Sequence, residues 1–299
     1  MSEIEPQVRR LRGEGVTLAA LLWPGRGIPI VAVHGVSSNA MFYVGVAERL
    51  AGRRPLLSLD LRGRGDSDKP DNDYGMARHA DDVAAAMTEA GIERAVIVGH
   101  SMGASVAWAV SQRHPARCAG IVLYDGGPHA FADYFGDAAL VREFAESSRS
   151  IEDRLRRTFA SDADYRTYWE GLGIFAPGPL PPWAQRYIEY DLSAGAGDRP
   201  VKCDPNAVAA DAADLLQHAG DLADARSAVP VMAIRASDGM VDGTTQLVSD
   251  ASCARTSAAC PAFEEHLIPH ANHYTVSLTD PPASTVADLL VDFADRCGC

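Results

Sequence analysis

The sequence predicts an α/β fold in which a mainly parallel sheet is flanked by helices. Short apolar runs alternate with longer stretches of helical periodicity over residues 1–127, and the alternation resumes over residues 227–299. Strand–helix–strand units at this spacing form right-handed crossovers and therefore parallel strands. At 299 residues the chain has room for one large domain with an insertion.

The individual elements are predicted from hydrophobic periodicity, taken in chain order. Apolar runs predict strands at residues 16–22, 30–33, 56–59, 95–98, 120–124, 229–234 and 266–268. Helical patterns at about residues 76–90 and 102–113 separate the strands in the middle of this series. A last helix is predicted near the C-terminus because Val286, Leu289, Leu290 and Phe293 recur on one face.

Residues 128–226 interrupt this alternation. They combine helical pieces with a proline-rich turn at residues 177–182, and they contain no run typical of a strand. They also hold 12 of the 21 aromatic residues of the chain. We therefore expect a core made of residues 1–127 and 227–299, with residues 128–226 forming a helical cap inserted between two strands of the sheet.

Composition and charge exclude several classes of protein. The formal net charge is -13, Lys69 and Lys202 are the only lysines, and no block of basic residues occurs, which argues against nucleic acid or an anionic membrane as a partner. No signal-peptide pattern or membrane-spanning apolar run occurs, so a soluble, cytoplasmic monomer or homodimer is expected. The six cysteines lack Cys-x-x-Cys spacing and are expected to be free thiols.

One short motif indicates chemistry. Residues 99–103 read Gly-His-Ser-Met-Gly, after an apolar strand pattern and before a helical one. A serine on such a strand-to-helix corner adopts a strained backbone conformation, and flanking glycines relieve the crowding. Its hydroxyl then stands clear of the sheet, and the next N–H group points at any oxygen bound there. This pattern is the nucleophile elbow, with Ser101 as the nucleophile.

Three further motifs occur in an order that resembles the α/β-hydrolase superfamily, in the subgroup with a helical cap. They are His34-Gly35-Val36, residues 60–67 (Asp-Leu-Arg-Gly-Arg-Gly-Asp-Ser) and residues 269–273 (Pro-His-Ala-Asn-His). The resemblance covers nearly the whole chain and implies an eight-stranded, mainly parallel sheet. It also implies an oxyanion hole formed by the N–H groups of Val36 and Met102. His34, the 60–67 loop and His100 are expected to be structural.

The resemblance places the catalytic base at His273, after the last strand. His266 and His270 lie close by in sequence, but a strand, a proline and a loop do not set them on one face, so no metal site is expected. Two aspartates compete to orient the base. Asp238 occupies the usual position in the family and is favoured, and Asp125 is the alternative. The family usually has glycine where Arg235 or Ala236 stands.

An activated serine with two backbone donors is suited to acyl transfer. We expect a hydrolase of a small apolar carboxylic ester, lactone or thioester that works through an acyl-enzyme and needs no cofactor. Serine at the elbow disfavours epoxide hydrolases and haloalkane dehalogenases, whose nucleophile is a carboxylate. The alternatives are a C–C bond hydrolase or acyltransferase, a cofactor-free lyase or oxygenase, and a non-catalytic ligand-binding protein. Five aromatic residues are candidates for substrate binding: Phe42, Tyr43, Phe135, Trp169 and Trp183.

Overall fold

The computed structural model describes residues 5–136, 151, 153–195 and 197–298. Its main sheet has eight strands in the order β1-β2-β4-β3-β5-β6-β9-β10, and β2 runs antiparallel to both β1 and β4 while the other pairs are parallel. The mainly parallel eight-stranded sheet expected from the sequence is confirmed. The strands are β1 (Gln7–Arg12), β2 (Thr17–Trp23), β3 (Ile30–Val33), β4 (Leu56–Leu59), β5 (Ala95–His100), β6 (Cys118–Tyr124), β7 (Thr158–Phe159), β8 (Arg199–Pro200), β9 (Val231–Ala236) and β10 (Phe263–Ile268).

Ten α-helices have defined bounds within the described residues. They are α1 (Val44–Leu50), α2 (Met76–Glu89), α3 (Met102–Arg113), α4 (Pro128–Gly136), α5 (Asp162–Glu170), α6 (Pro182–Asp191), α7 (Pro205–Asp224), α8 (Asp250–Ala259), α9 (Thr275–Leu278) and α10 (Pro282–Cys297). Residues 153–156 are also helical. None of the described helices is both long enough and apolar enough to cross a membrane.

The central strands are buried on both faces of the sheet. Every residue of β3, β4, β5 and β6 is buried, which explains why these strands appear in the sequence as unbroken apolar runs. One hydrophobic cluster joins one face to α1 and α10, and a second joins the other face to α2 and α3. The carboxyl ends of the parallel strands therefore open toward the remaining segment of the chain.

That segment runs between β6 and β9 and contains α4 to α7. The sequence indicated no strand in it, but β7 and β8 form a small antiparallel sheet there. These two strands pair with each other and not with the main sheet. Buried aromatic residues of the segment, including Tyr165, Trp169 and Tyr187, belong to the same hydrophobic cluster as α1 and α10. The segment thus shares a core with the sheet beneath it.

Candidate active site

Ser101 lies on the corner between β5 and α3. Its backbone has φ 55 and ψ -124, in a region that non-glycine residues rarely adopt, at a cost of about 1–3 kcal/mol. The flanking glycines permit the close packing that this corner requires. A Cβ atom on Gly99 would lie 1.8 Å from the carbonyl oxygen of Gly103, and one on Gly103 would lie 2.3 Å from the carbonyl oxygen of Val33. The geometry is that of a nucleophile elbow.

His273 follows β10 and lines the same cavity as Ser101. Its ring nitrogen Nδ1 lies 2.6 Å from the carboxylate oxygen Oδ2 of Asp125. A carboxylate oxygen accepts, so Nδ1 carries the proton and Nε2 is left to accept one. His273 is 4% exposed and Asp125 is fully buried. The pair therefore has the geometry by which a carboxylate holds a general base in one tautomer.

The structure places Asp125, and not Asp238, beside the base. Asp125 directly follows β6 with φ 46, and its second carboxylate oxygen accepts from the N–H of Ala236 at 3.1 Å. Asp238 instead binds its own turn: Oδ1 accepts from the N–H of Gly243 at 2.9 Å, and Oδ2 accepts from the Ser237 hydroxyl at 3.0 Å. The expectation that Asp238 faces His273 is therefore wrong, because its side chain closes the loop that follows β9.

His100 and His34 are buried beside the site and hydrogen-bond to the backbone around it. His100 stacks on Phe42 with ring centroids 4.0 Å apart, and its Nε2–H donates to the carbonyl oxygen of His273 at 3.0 Å. His34 donates from Nδ1 to the carbonyl of Gly35 at 2.8 Å and accepts at Nε2 from the N–H of Leu61 at 3.1 Å. Burial lowers the pKa of His34 to about 3 and that of His100 well below its ordinary value. Both rings are neutral anchors.

Three of these side chains could offer ligands to a metal ion. The candidate ligand atoms of His100, Asp125 and His273 lie within 4.8 Å of one another, the one such group among the described residues. Both oxygens of the Asp125 carboxylate are already engaged, one by His273 and the other by the N–H of Ala236. A metal ion here would have to displace the His273–Asp125 hydrogen bond, so the residues fit an acid–base pair better than a metal centre.

Val36 and Met102, the two expected oxyanion donors, line one cavity together with Ser101. Met102 is the first residue of α3, so its N–H has no carbonyl partner within the helix. The loop of residues 60–67 packs beneath Val36. From it, Arg64 Nε donates to the carbonyl oxygen of Val36 at 2.9 Å. Val36, Ser101 and Met102 thus meet at one cavity, which His273 does not line.

The 60–67 loop is structural, as the sequence indicated. Arg62 forms a buried two-point pair with Asp82, with N···O distances of 2.6 and 2.8 Å. Asp60 is fully buried and accepts from the N–H groups of Ala40 and Asp66 and from the Tyr190 hydroxyl. Burial raises the pKa of Asp60 to about 6 even though these donors lower it. The loop thus ties β4 to the segment that contains α6.

Three adjoining cavities lie at this site, and Ser101 lines two of them. The central cavity, of about 70 Å³, is lined by Ser101, His273, Phe42, Tyr187 and Met240 among others. The α7 cavity, of about 110 Å³, is almost wholly apolar and is lined by Val36, Met102, Phe131, Leu155, Pro205, Val208, Ala209, Ala212 and Leu215 with Ser101. The cap cavity, of about 130 Å³, is lined by Arg154, Tyr168, Trp169, Leu172, Ile174, Met240, Val241 and Tyr274. Ile151 lines all three.

The aromatic residues expected to bind substrate divide between the cavities and the core. Phe42 lines the central cavity and Trp169 the cap cavity. Tyr43 is buried in the core, where its hydroxyl donates to the carbonyl of Val33 at 2.9 Å, and Trp183 packs against α1 and donates to Glu48 at 2.8 Å. Neither lines a cavity near Ser101, so both expectations are wrong. The side chain of Phe135 lies outside the described residues.

Several lining residues were not foreseen. Tyr274 directly follows the base, and Met240 and Leu247 come from the loop after β9. Tyr274 was predictable from the sequence, because it is adjacent to the expected base, His273, and must lie near the site. Met240 and Leu247 carry no such signal, because loop residues have no periodicity from which their direction can be inferred.

Comparison with known proteins agrees with this geometry. The model of the α/β hydrolase fold family matches residues 28–278, and the chain belongs to that family. A curated relative, the 2-(acetamidomethylene)succinate hydrolase of Mesorhizobium japonicum, is 27% identical over 255 residues, which cover 84% of this chain and 83% of the relative. An uncharacterized protein of Mycobacterium tuberculosis is 36% identical over 103 residues, and this match spans only 30% of that relative.

Solved structures share the fold over the whole chain. The crystal structure of E-2-(acetamidomethylene)succinate hydrolase superposes with a TM-score of 0.74 at 24% identity, covering 97% of this chain and 99% of the other. A thermophilic esterase from Thermogutta terrifontis superposes with a TM-score of 0.65 at 20% identity, covering 98% and 100% of the two chains. At these identities the likeness concerns the fold alone.

Proposed function

We propose that the protein hydrolyses a small carboxylic ester through an acyl-enzyme formed on Ser101. The observation that carries the proposal is the 2.6 Å contact between His273 Nδ1 and Asp125 Oδ2, at the base of a cavity that Ser101 also lines. A serine hydroxyl attacks an acyl group only when a base takes its proton. His273, with Nε2 free to accept, supplies that base.

The reaction follows from the placement of the groups. The Ser101 oxygen attacks the acyl carbon while His273 takes its proton, and the N–H groups of Val36 and Met102 stabilise the negative charge on the tetrahedral intermediate. His273 then protonates the leaving oxygen, which departs as an alcohol. A water molecule, deprotonated by His273, attacks the acyl-enzyme in the same way and releases the acid. Asp125 keeps the imidazolium paired throughout.

The cavities support one orientation of the substrate. His273 must face the leaving atom in order to protonate it, and Tyr274, the next residue, lines the cap cavity. The leaving group therefore extends toward the cap cavity, which Tyr168 and Trp169 also line. The acyl group extends into the apolar α7 cavity. At about 110 Å³, this space is smaller than the ~150 Å³ cavity that holds benzene, and it suits an acyl chain of about four to six carbons.

Amide hydrolysis is a second candidate. It is supported by the curated relative that aligns over most of the chain, whose name describes a substrate with an acetamido group. The same residues serve an amide, provided that His273 protonates the leaving nitrogen. This candidate differs from the first in its leaving group and not in its nucleophile.

A substrate series tests both candidates. Activity should be measured on p-nitrophenyl esters from acetate to decanoate and on the matching anilides, with Ser101→Ala as the control. We expect hydrolysis that peaks at about four to six acyl carbons and is lost in the Ser101→Ala variant. Preference for anilides over esters would favour the second candidate. Hydrolysis that persists in Ser101→Ala, or none on any member, would contradict both.

A further inference from the structure

The oxyanion loop, residues 34–38, is held by side chains at three successive carbonyl groups. His34 Nδ1 donates to the carbonyl oxygen of Gly35 at 2.8 Å. Arg64 Nε donates to that of Val36 at 2.9 Å, and Arg154 Nη2 donates to that of Ser37 at 2.7 Å. Because a peptide group is planar, fixing one carbonyl also fixes the N–H of the next residue. The Gly35 carbonyl, held by His34, therefore sets the direction of the Val36 N–H group. The Val36 and Ser37 carbonyls, held by Arg64 and Arg154, fix the next two peptide groups, so the backbone is held on both sides of the Val36 Cα atom.

Both arginines are buried, and each is neutralised by an aspartate of the segment between β6 and β9. Arg64 pairs with Asp211 of α7 at 2.6 Å, and both side chains are fully buried. Arg154 pairs with Asp191 of α6 at 2.5 Å and also donates to the Tyr165 hydroxyl at 2.8 Å. Charged groups that are buried in this way are held in one geometry, because losing a partner leaves an unpaired charge.

His79 completes the first of these two pairs. Its Nε2 lies 2.8 Å from the same Asp211 oxygen that binds Arg64. Burial alone would raise the pKa of Asp211, but His79 and Arg64 outweigh it and lower the pKa. Asp211 is thus a carboxylate at neutral pH. It connects α2, α7 and the loop that supports Val36.

We infer that Arg64 and Arg154 are positioning residues, which tie the oxyanion donor to α6 and α7 through Asp191 and Asp211. This inference rests on the proposed function, since it assigns the Val36 N–H a role in the reaction. Neither aspartate lines the cavities around Ser101. Their effect on the reaction is therefore exerted through the two guanidinium groups. A shift of about 1 Å in a catalytic donor can cost about 100-fold in rate.

Arg64→Gln and Arg154→Gln test the inference, and Arg62→Gln is the matched control. Arg62 also forms a buried pair with an aspartate, but its remaining donors go to the carbonyls of Asp73 and Glu14, outside the oxyanion loop. We expect kcat to fall about 10- to 100-fold in the two test variants, because a displaced donor acts mainly on the transition state. KM should stay within about threefold in Arg64→Gln, since Arg64 lines none of the three cavities, whereas Arg154 lines the cap cavity. The control should keep kcat within about threefold although it loses stability.

Two further measurements separate positioning from folding. Affinity for a trifluoromethyl ketone, which forms an oxyanion on Ser101, should fall in parallel with kcat in the test variants only. Hydrogen exchange at residues 34–38 should rise in them and not in Arg62→Gln. If either test variant fails to fold, Arg64→Lys or Arg154→Lys replaces it, since lysine keeps a positive charge beside the aspartate but has a single nitrogen and cannot bind both the carboxylate and the loop carbonyl as arginine does.

The outcomes distinguish this inference from the proposed function. If the wild type neither hydrolyses esters or amides nor binds the ketone, the proposed function fails, and hydrogen exchange alone decides the inference. Equal exchange at residues 34–38 in the Arg62, Arg64 and Arg154 variants would overturn it. So would equal losses of kcat in all three variants.

Discussion

Asp125→Asn is the substitution that examines the geometry of the site most closely. Asn has the shape of Asp, and its oxygen can still accept from the N–H of Ala236, which binds Asp125 at 3.1 Å. The amide group, however, can present an N–H to His273 where the carboxylate presented an acceptor. The ring then favours the tautomer with its proton on Nε2, and that nitrogen cannot accept the proton of Ser101.

The expected loss can be estimated from the role of the contact. Where a carboxylate holds a catalytic histidine in this way, the change to Asn lowers kcat by about 10⁴-fold, or about 5.5 kcal/mol of transition-state stabilisation. The 2.6 Å contact is direct, and Asp125 is fully buried, so the carboxylate is not exposed to bulk solvent. We therefore expect kcat to fall by about 10³- to 10⁴-fold.

Asp238→Asn is the matched control. Asp238 accepts from the Gly243 N–H at 2.9 Å and the Ser237 hydroxyl at 3.0 Å, and an Asn oxygen can accept the first of these bonds. We expect kcat within about threefold of the wild type. Both variants should be assayed on the best p-nitrophenyl ester, with thermal unfolding to confirm that they fold. A loss in Asp238→Asn equal to that in Asp125→Asn, or full activity in Asp125→Asn, would refute the reasoning.

Three other predictions concern stability and specificity. His34 has a pKa lowered from 6.5 to about 3, so the unfolded chain binds the extra proton and stability falls as the pH drops below 6.5. Urea unfolding at pH 7 and pH 5 should show about 2 kcal/mol more loss in the wild type than in His34→Gln, and an equal loss would contradict the assignment. Asp82→Asn removes the carboxylate that binds Arg62 at two points and leaves it only the 3.4 Å pair with the half-exposed Asp73. The change should cost about 3–5 kcal/mol in the same assay, and a cost below about 1 kcal/mol would argue against a buried pair. Ala212→Leu fills the α7 cavity and should lower kcat/KM for the hexanoate ester at least about tenfold, with little effect on the acetate ester. Ala213→Leu, on the exposed face of α7, is the control and should change neither value. Equal effects of the two substitutions would mean that the acyl group binds elsewhere.

The sequence predicted the centre of the sheet better than its edges. The bounds of β3 and β4 agree with the predicted strands, because both faces of these strands are buried and only apolar residues fit there. The edge strand β1 was missed, since Arg9, Arg10 and Arg12 give it no apolar run and it is largely exposed. At the opposite edge β10 begins at Phe263, three residues earlier than predicted, through two glutamates.

The nucleophile elbow was predictable because its small residues are required by close packing that no other residue type permits. The choice between the two aspartates was not. Asp125 and Asp238 both follow a strand, and the direction of each side chain depends on its backbone: Asp125 has φ 46, and Asp238 lies two residues beyond β9 in a turn that it closes itself. The absence of the usual glycine near Arg235 and Ala236 was the one signal in favour of Asp125.

The aromatic residues show a second limit. Trp169 and Trp183 both lie in the segment between β6 and β9, yet Trp169 lines the cap cavity while Trp183 packs on Arg49 of α1. The number of aromatic residues in a segment therefore predicts a large apolar surface but not which part of it faces a ligand. Which aromatic side chains face a ligand depends on tertiary contacts between distant residues. The contact of Trp183 with Glu48, for example, joins residues 135 positions apart.

The most direct test of the central claim is the site of covalent labelling by a fluorophosphonate, located by mass spectrometry of peptides. An activated serine with an oxyanion hole reacts with this probe, and an ordinary serine does not. We expect a single adduct on Ser101 that is absent in Ser101→Ala, strongly slowed in Asp125→Asn and unchanged in Asp238→Asn. A wild-type protein without an adduct on Ser101, or labelled at another residue, would contradict it.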